Sequence, residues 1–188
     1  MPRNYAAMPV AQVRRSDRAV EDESWIRDLL NRAPVGYMAT VNEGQPFINS
    51  NLFVYDEGEH CIYMHTARVG RTQANIDSDQ RACFTVTEMG RLLPADEALE
   101  FSVEYSGVVV FGDARILDDQ AQDEAKYALQ LLLDKYAPHL KPGRDYRATT
   151  LEELKRTAVY RIDIKQWSGK RKKAADDFPG AFFYPYNE

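Results

Sequence analysis

The connections between the apolar segments in the first third of the chain are too short to do anything but reverse it. From Val35, the residues Val35, Tyr37, Ala39 and Val41 alternate until Asn42-Glu43-Gly44-Gln45 intervenes; a second extended run follows, Pro46-Phe47-Ile48-Asn49-Ser50-Asn51-Leu52-Phe53-Val54-Tyr55. Alternation of period two marks strands. A turn this short joins antiparallel neighbours, because a parallel pair needs a crossover of a dozen or more residues. Asp56-Glu57-Gly58-Glu59 makes the next reversal and His60 to Thr66 the third strand. The start of the chain therefore reads as an antiparallel meander, which excludes a doubly wound parallel α/β sheet.

The remaining segments complete a small barrel. Glu21 to Arg32 places Trp25, Ile26, Leu29 and Leu30 at helical spacing with acids in the first turn and Pro34 beyond the end, the pattern of an amphipathic cover for a sheet. Gly70 to Asp77 reads as a short helix, Ala82 to Thr87 as a fourth strand, and residues 90 to 100 as a loop. A long strand from Tyr105 to Leu117 follows, interrupted by Gly107 and Gly112, where a bulge or a close backbone approach is expected. Asp118-Asp119 is expected to cap a helix of about 19 residues with Ala125, Leu129, Leu132 and Leu133 as its stripe. Thr150 to Lys155 reads as a shorter helix and Thr157 to Trp167 as the last strand. The expectation is a mainly β chain with flanking helices and six antiparallel strands. Residues 1–20 form a basic arm, ordered only where something docks on it, 21–173 the domain, and 174–188 an aromatic tail.

Composition narrows the function. The chain has 188 residues, 24 Lys+Arg against 29 Asp+Glu and a net charge of −5, with 44% hydrophobic residues. It is globular in composition, and its acidity offers no general attraction to nucleic acid. The run Lys170-Arg171-Lys172-Lys173 is followed at once by Asp176-Asp177 and reads as a solvated tail or a phosphate clamp. No apolar segment has the length of a membrane span. Cys61 and Cys83 show neither a CxxC pair nor a metal spacing and read as buried thiols of a cytoplasmic protein. His60, His65 and His139 have no ligand-like spacing, so no metal is expected. The chain lacks GxGxxG, GxxxxGK[ST], GxSxG and HExxH, which removes the common dinucleotide, nucleoside-triphosphate, esterase and metalloprotease signatures.

The segment with positive chemical content is Tyr63-Met64-His65-Thr66-Ala67-Arg68-Val69-Gly70-Arg71-Thr72. It runs from a strand end through a glycine turn into a helix, gathering helix N-terminal amides, the Arg68 and Arg71 guanidinium groups, and the Thr66 and Thr72 hydroxyls. That set suits a phosphate pocket; the alternative is that both arginines are solvated surface charges. His65 is the candidate catalytic side chain, with a structural strand-end histidine as the alternative reading.

The order of these motifs resembles the pyridoxamine 5′-phosphate oxidase-like FMN-binding split-barrel family. The strand ending Tyr63-Met64-His65-Thr66, the Gly70-Arg71-Thr72 helix start, the strand Ala82-Cys83-Phe84-Thr85-Val86 and the later Tyr105-to-Arg115 stretch carry the likeness. The Arg14-Arg15-Ser16-Asp17-Arg18 opening and the Ser168-Gly169-Lys170 ending resemble the 5-nitroimidazole resistance branch. The resemblance implies a homodimer with FMN at the subunit interface, FAD and haem being less expected. Arg71 and Thr72 fall at the flavin phosphate with Thr66 near them. Asn49, Ser50 and Asn51 fall along the flavin ring, which Met64 and His65 wall, although period two puts Asn49 and Asn51 on one face and Ser50 on the other. Trp167 and Lys170 complete the pocket, from the partner subunit on one reading. Thr72 stands where the family carries a lysine, which leaves Arg68 or Lys170 to supply the missing charge. The family's C-terminal Arg-x-His is absent, which argues against pyridoxamine 5′-phosphate oxidation itself. The implied activity is transfer of electrons between a flavin and a small organic molecule, nitroaromatics included, with a nicotinamide or another reductant as donor. The alternatives are a flavin- or haem-binding carrier or sensor on the same barrel, and an interaction module whose pocket is vestigial.

Overall fold

The computed structural model describes residues 4–185; Arg3 and Tyr186 of the two expected tails lie outside the described residues. Its elements are β1 (Ala19–Val20), α1 (Glu23–Arg32), β2 (Gly36–Asn42), β3 (Gln45–Asn51), β4 (Phe53–Asp56), β5 (Cys61–Ala67), α2 (Arg71–Ser78), β6 (Arg81–Leu93), β7 (Ser102–Ile116), α3 (Gln122–Tyr136), α4 (Leu151–Leu154), β8 (Thr157–Lys172) and β9 (Phe182–Phe183). The main path of the sheet runs β3-β2-β6-β7-β8-β5-β4 with every pair antiparallel; β1 adds to β8 and β9 to β6. The two end strands of that path, β3 and β4, are separated in the chain by Leu52 alone. A sheet whose two edges are joined by one residue has to curl, and the result is an antiparallel split barrel.

The expected count of six strands becomes nine for physical reasons. The run Pro46 to Tyr55 changes partner at Leu52, pairing with β2 before it and β5 after it, so it counts as two strands. Ala19 and Val20 of the expected arm pair with Lys170 and Gly169, so the arm docks on its own barrel. Phe182 and Phe183 pair with Leu92 and Arg91. The expected loop at 90 to 100 begins later, because β6 continues to Leu93 beside β7; residues 94 to 100 are irregular apart from a 3-10 turn at Ala98–Glu100. Likewise β8 continues past Trp167 to Lys172, so the basic run begins on a strand and not in a solvated tail. Helix α3 starts at Gln122 without a side-chain cap; Asp118 instead accepts from the Gln120 amide at 2.9 Å, closing a turn ahead of the helix.

Local chemistry explains the elements the sequence announced. Glu43 and Gly44 both have positive φ (49° and 79°), as a two-residue type I′ hairpin turn requires. Asp22 caps α1 by accepting from the Ser24 amide. At Gly112 a Cβ would lie 2.1 Å from the Asp163 carbonyl oxygen, and the β7–β8 register shifts beside it, between Phe111 and Gly112.

Two cores flank the curled sheet. Met38, Phe53, Met64, Phe84, Val86, Val108, Val110, Tyr160 and Ile162 fill the barrel, closed by Ile26, Leu29 and Leu30 of α1. Behind β4, β5 and β8, a second core joins Val54, Cys61, Tyr63 and Val159 to Ala125, Ala128 and Leu132 of α3. β4 is therefore buried on both faces. The outer face of β3, β2 and β6 carries Ile48, Tyr37, Val41 and Met89, all exposed. No helix among the described residues is long and apolar enough to cross a membrane.

Candidate functional site

Helix α2 brings part of the expected site together. Its N-cap, Gly70, has no side chain to offer, and no side-chain cap satisfies the first turn, so the leading amides of α2 keep their hydrogen-bonding capacity. Arg71 is exposed and has no ion pair among the described residues. Thr72, one residue on, turns inward and is 5% exposed. Asn49 Nδ2 on β3 donates to Thr72 Oγ1 at 3.2 Å. Asn51, two residues further on the same face of β3, has its Nδ2 buried with no hydrogen-bond partner. Below them Asn75 Nδ2 donates to Thr40 Oγ1 at 2.9 Å and leaves Asn75 Oδ1 unpartnered, with both residues buried. The junction of α2 with β2 and β3 thus holds donors and acceptors in excess of their partners, an arrangement that buried polar groups adopt rarely without a ligand or water.

Other expected site residues are directed elsewhere. Thr66 Oγ1 donates to the Ala67 carbonyl at 2.8 Å and lies 3.1 Å from Tyr160 Oη, so it is held by the protein itself. Arg68 donates to the Leu154 and Lys155 carbonyls and approaches Asp119 at 3.8 Å, so it does not supply the charge that Thr72 lacks. Met64 is fully buried in the barrel core. His65, its neighbour on the strand, points to the opposite face and lines an open cavity of about 460 Å³ with Leu129, Tyr146 and Thr149. Burial holds the His65 imidazole below its ordinary pKa. Met64 and His65 therefore cannot wall one ring from the same side. Ser50 is exposed on the opposite face of β3 from Asn49 and Asn51.

Trp167 and Lys170 lie on β8, four strands along the sheet from β3. β8 begins at Thr157, which pairs with Ala67 beside α2, and Trp167 is ten residues further along. Across the sheet Trp167 stands level with Asn49, through Val110, Phe84 and Met38, four strand spacings or roughly 19 Å around the barrel wall. There Trp167 meets His60 edge-on at 4.8 Å between ring centroids, with the Arg27 guanidinium 5.7 Å from the Trp167 centroid. Lys170 lies beside Tyr105, with Nζ 5.3 Å from the ring centroid.

The cysteines differ from each other. Cys61 is fully buried and its thiol is pushed up to about 11 by burial, whereas Cys83 is half-buried on the uncovered outer face. No group of three or more His, Cys, Asp or Glu among the described residues could hold a metal ion.

A family profile described as pyridoxamine 5′-phosphate oxidase matches residues 22–171, which span α1 through nearly all of β8. The chain belongs to the pyridoxamine 5′-phosphate oxidase family. No curated protein matches the sequence. Among solved structures the family fold is shared with the flavocytochrome Anf3 from Azotobacter vinelandii (24% identity, TM-score 0.73, covering 95% of this chain and 86% of that one). It is shared with an FAD- and haem-binding protein from Mycobacterium smegmatis (24% identity, TM-score 0.72, 84% and 74%). A protein assigned to 5-nitroimidazole antibiotic resistance from Bacteroides thetaiotaomicron also matches (17% identity, TM-score 0.67, 81% and 86%). At these identities the likeness establishes the split barrel.

The contacts that hold the α2 junction were missed on the sequence. The pairs Asn49–Thr72 and Thr40–Asn75 are 23 and 35 residues apart, so only the β2–β3 pairing and the docking of α2 create them. Thr40 falls between the alternating apolar positions Tyr37, Ala39 and Val41, a pattern that reads it as outward; the structure inverts the strand, burying Met38 and Thr40 and exposing Tyr37 and Val41.

Proposed function

We propose that this family member binds FMN at the α2 end of the barrel and acts, as a homodimer, as a flavin-dependent oxidoreductase on a small organic molecule. The observation that carries the reading is the Asn49–Thr72 contact beside the uncapped start of α2, where Arg71 and Asn51 Nδ2 have no partner. These groups fit the flavin. Arg71 and the first-turn amides would hold the phosphate, Asn51 Nδ2 would donate to a carbonyl or ring nitrogen, and Asn49 and Thr72 would fix β3 against α2. When bound, the flavin supplies reversible acceptance of two electrons. Two of the structural neighbours carry flavin or FAD together with haem in their names, which supports a flavin site on this barrel.

The dimer completes the pocket. Trp167 and Lys170 are engaged with His60 and Tyr105 of their own chain and not with the α2 junction, so in this reading a second copy supplies them. The outer face of β3, β2 and β6 is the surface that docks, because Tyr37, Val41 and Ile48 leave it apolar and uncovered. Residues 21–173 serve as the flavin-binding domain, and a nicotinamide serves as electron donor. The free thiols of Cys61 and Cys83 suit a reducing cytoplasm.

The visible absorption spectrum of the purified protein tests this reading. The expected result is a flavin spectrum, near one FMN per protomer after release, that bleaches anaerobically on addition of NADH or NADPH. A colourless protein that takes up neither FMN nor FAD overturns it. A second reading, a carrier or sensor without turnover, is favoured by the position of His65 on the face of β5 away from the junction. A bound flavin or haem that no nicotinamide reduces would select that reading.

A further inference from the structure

Helix α2 packs against β2, β3 and β7 with very little apolar surface. It buries three side chains, Thr72, Asn75 and Ile76, at the spacing of one helix face, and of these only Ile76 is apolar. Ile76 joins the barrel core, while hydrogen bonds tie the other two to the sheet: Thr72 to Asn49 of β3, and Asn75 to Thr40 of β2. The two bonds differ in their surroundings. Asn49 is half-buried, so water can stand in for a partner there. Thr40 and Asn75 are 2% and 0% exposed, and nothing can stand in for either.

Stability does not account for the buried pair. Of the inward positions of β2, Gly36, Met38 and Thr40, only Thr40 is polar. Valine has nearly the shape of threonine and leucine that of asparagine, so an aliphatic pair would fill the same space, and exchanging both partners of a buried polar contact in this way is close to neutral or stabilising. The pair also carries a cost, because Asn75 Oδ1 stays buried without a partner. What a hydrogen bond supplies and aliphatic packing does not is direction, since it weakens steeply when donor and acceptor turn or slide out of line. Asn75 sits one turn below the helix start, so its bond to β2 fixes the rotation of α2 about its axis and its height over the sheet.

That placement matters at the first turn. The first hydrogen bond of α2 runs from the Ala74 amide to the Gly70 carbonyl at 3.2 Å, so the amides of Arg71, Thr72 and Gln73 point ahead of the helix. In the flavin reading above these amides meet the phosphate, whereas Asn51 of β3 meets the ring. The two ends of the flavin thus rest on different elements. We propose that Thr40 and Asn75 are positioning residues that make the site selective for FMN over riboflavin, by holding the start of α2 at one fixed place relative to β3. The selectivity rests on the flavin reading; the positioning of α2 does not.

Fluorescence titrations of the apoprotein with FMN and with riboflavin test the proposal, alongside hydrogen exchange of the α2 segment and thermal melts. The double variant Thr40→Val with Asn75→Leu should melt at or above the wild-type temperature, bind riboflavin as the wild type does, and bind FMN about tenfold or more weakly, the loss of one well-aligned charge-assisted contact. Its α2 amides should exchange faster in the apoprotein while the strands keep their protection. Thr40→Ser, which retains the hydroxyl, should keep the wild-type preference for FMN. If the double variant does not fold, Thr40→Val against Thr40→Ser makes the same comparison, and only the valine should lower the ratio of FMN to riboflavin affinity. An unchanged ratio overturns the proposal, as does an equal fall in both affinities, which marks a general loss of structure. Protein that binds neither FMN nor riboflavin removes the flavin reading and leaves exchange to decide: faster α2 exchange in the double variant keeps the positioning, and equal exchange overturns it too.

Discussion

Asn49 and Thr72 are joined by a single side-chain hydrogen bond of 3.2 Å that ties strand β3 to the first turn of α2. The contact spends the Thr72 hydroxyl on structure and leaves Arg71, next to it, as the charge at the helix start with no ion pair among the described residues. The two residues therefore have separable roles. Arg71→Gln should weaken FMN binding about tenfold or more while leaving the melting temperature unchanged, because the side chain is exposed and has no partner to lose. Thr72→Val should instead lower stability by about 1 kcal/mol, with Asn49 Nδ2 left without its acceptor. Thermal melts of the apoproteins and flavin fluorescence titrations check the two halves. Equal effects of both substitutions on flavin affinity and on stability would contradict this division.

Ile48 is 66% exposed on the outer face, in line with Ala39 and Cys83 across β2 and β6. A charge placed there costs a monomer little and a sheet-to-sheet dimer a great deal. Ile48→Asp should turn the proposed dimer into a folded monomer in sedimentation, with loss of the flavin proposed to bind there. In the proposed dimer, Cys83 should react slowly with a thiol reagent, and it should become the first thiol modified in the Ile48→Asp variant. Cys61 should stay protected in both, since burial raises its thiol to about 11. A monomeric wild type that retains flavin would remove the proposed face from the site.

How much of this was legible depended on the range of the interaction. The meander was legible because Glu43-Gly44 and the short reversal after Asp56 act locally, and parity alone put Asn49 and Asn51 on one face. Parity also separates Met64 from His65, a consequence that the resemblance obscured by assigning both to one ring. The length of β6 was hidden because Met89-Gly90-Arg91 breaks the alternation. What sustains it is an Arg91–Glu104 pair across the hairpin, whose two side chains are only 15% and 12% exposed. The same pair anchors the tail: Arg91 donates to the Ala175 and Asp176 carbonyls, and Glu104 accepts from the Ala174 amide. No local pattern announces a contact made across 85 residues. The placement of Trp167 four strands from Asn49 was equally invisible, because it follows from the order β3-β2-β6-β7-β8 of the sheet.

Tyr136 secures the corner at which the barrel splits. Its hydroxyl accepts from the Phe53 amide at 3.1 Å and lies 3.0 Å from the Phe53 carbonyl and 2.9 Å from that of Pro34, either of which it can donate to. Leu52 has no strand partner, so this hydroxyl substitutes for the ladder where the chain passes from β3 to β4. Tyr136→Phe should cost about 1–3 kcal/mol, the penalty for buried backbone groups left unpaired. Urea denaturation would measure it. A variant as stable as the wild type would mean that solvent replaces the hydroxyl at the corner.

Lys135, one residue earlier, gives the fold a pH dependence of its own. Its Nζ donates to the Leu30 carbonyl at 3.2 Å, at the end of α1, and sits 3.8 Å from the Phe53 ring centroid. Burial lowers its pKa to about 8 from an ordinary 10.5. Below pH 8 the group is protonated in the folded and unfolded chains alike, and the folded state bears the full cost of a desolvated charge. Between about 8 and 10.5 the unfolded chain holds more protons, so stability from this group rises with pH, by at most about 3 kcal/mol at 1.36 kcal/mol per unit. Cys61, raised by burial, acts in the opposite sense above pH 9. The quantity to measure is therefore the stability of wild type minus that of Lys135→Met across pH 7 to 10.5. It should increase through this window, and a flat or falling difference would show that the ammonium is solvated at the α1–α3 contact and not buried there.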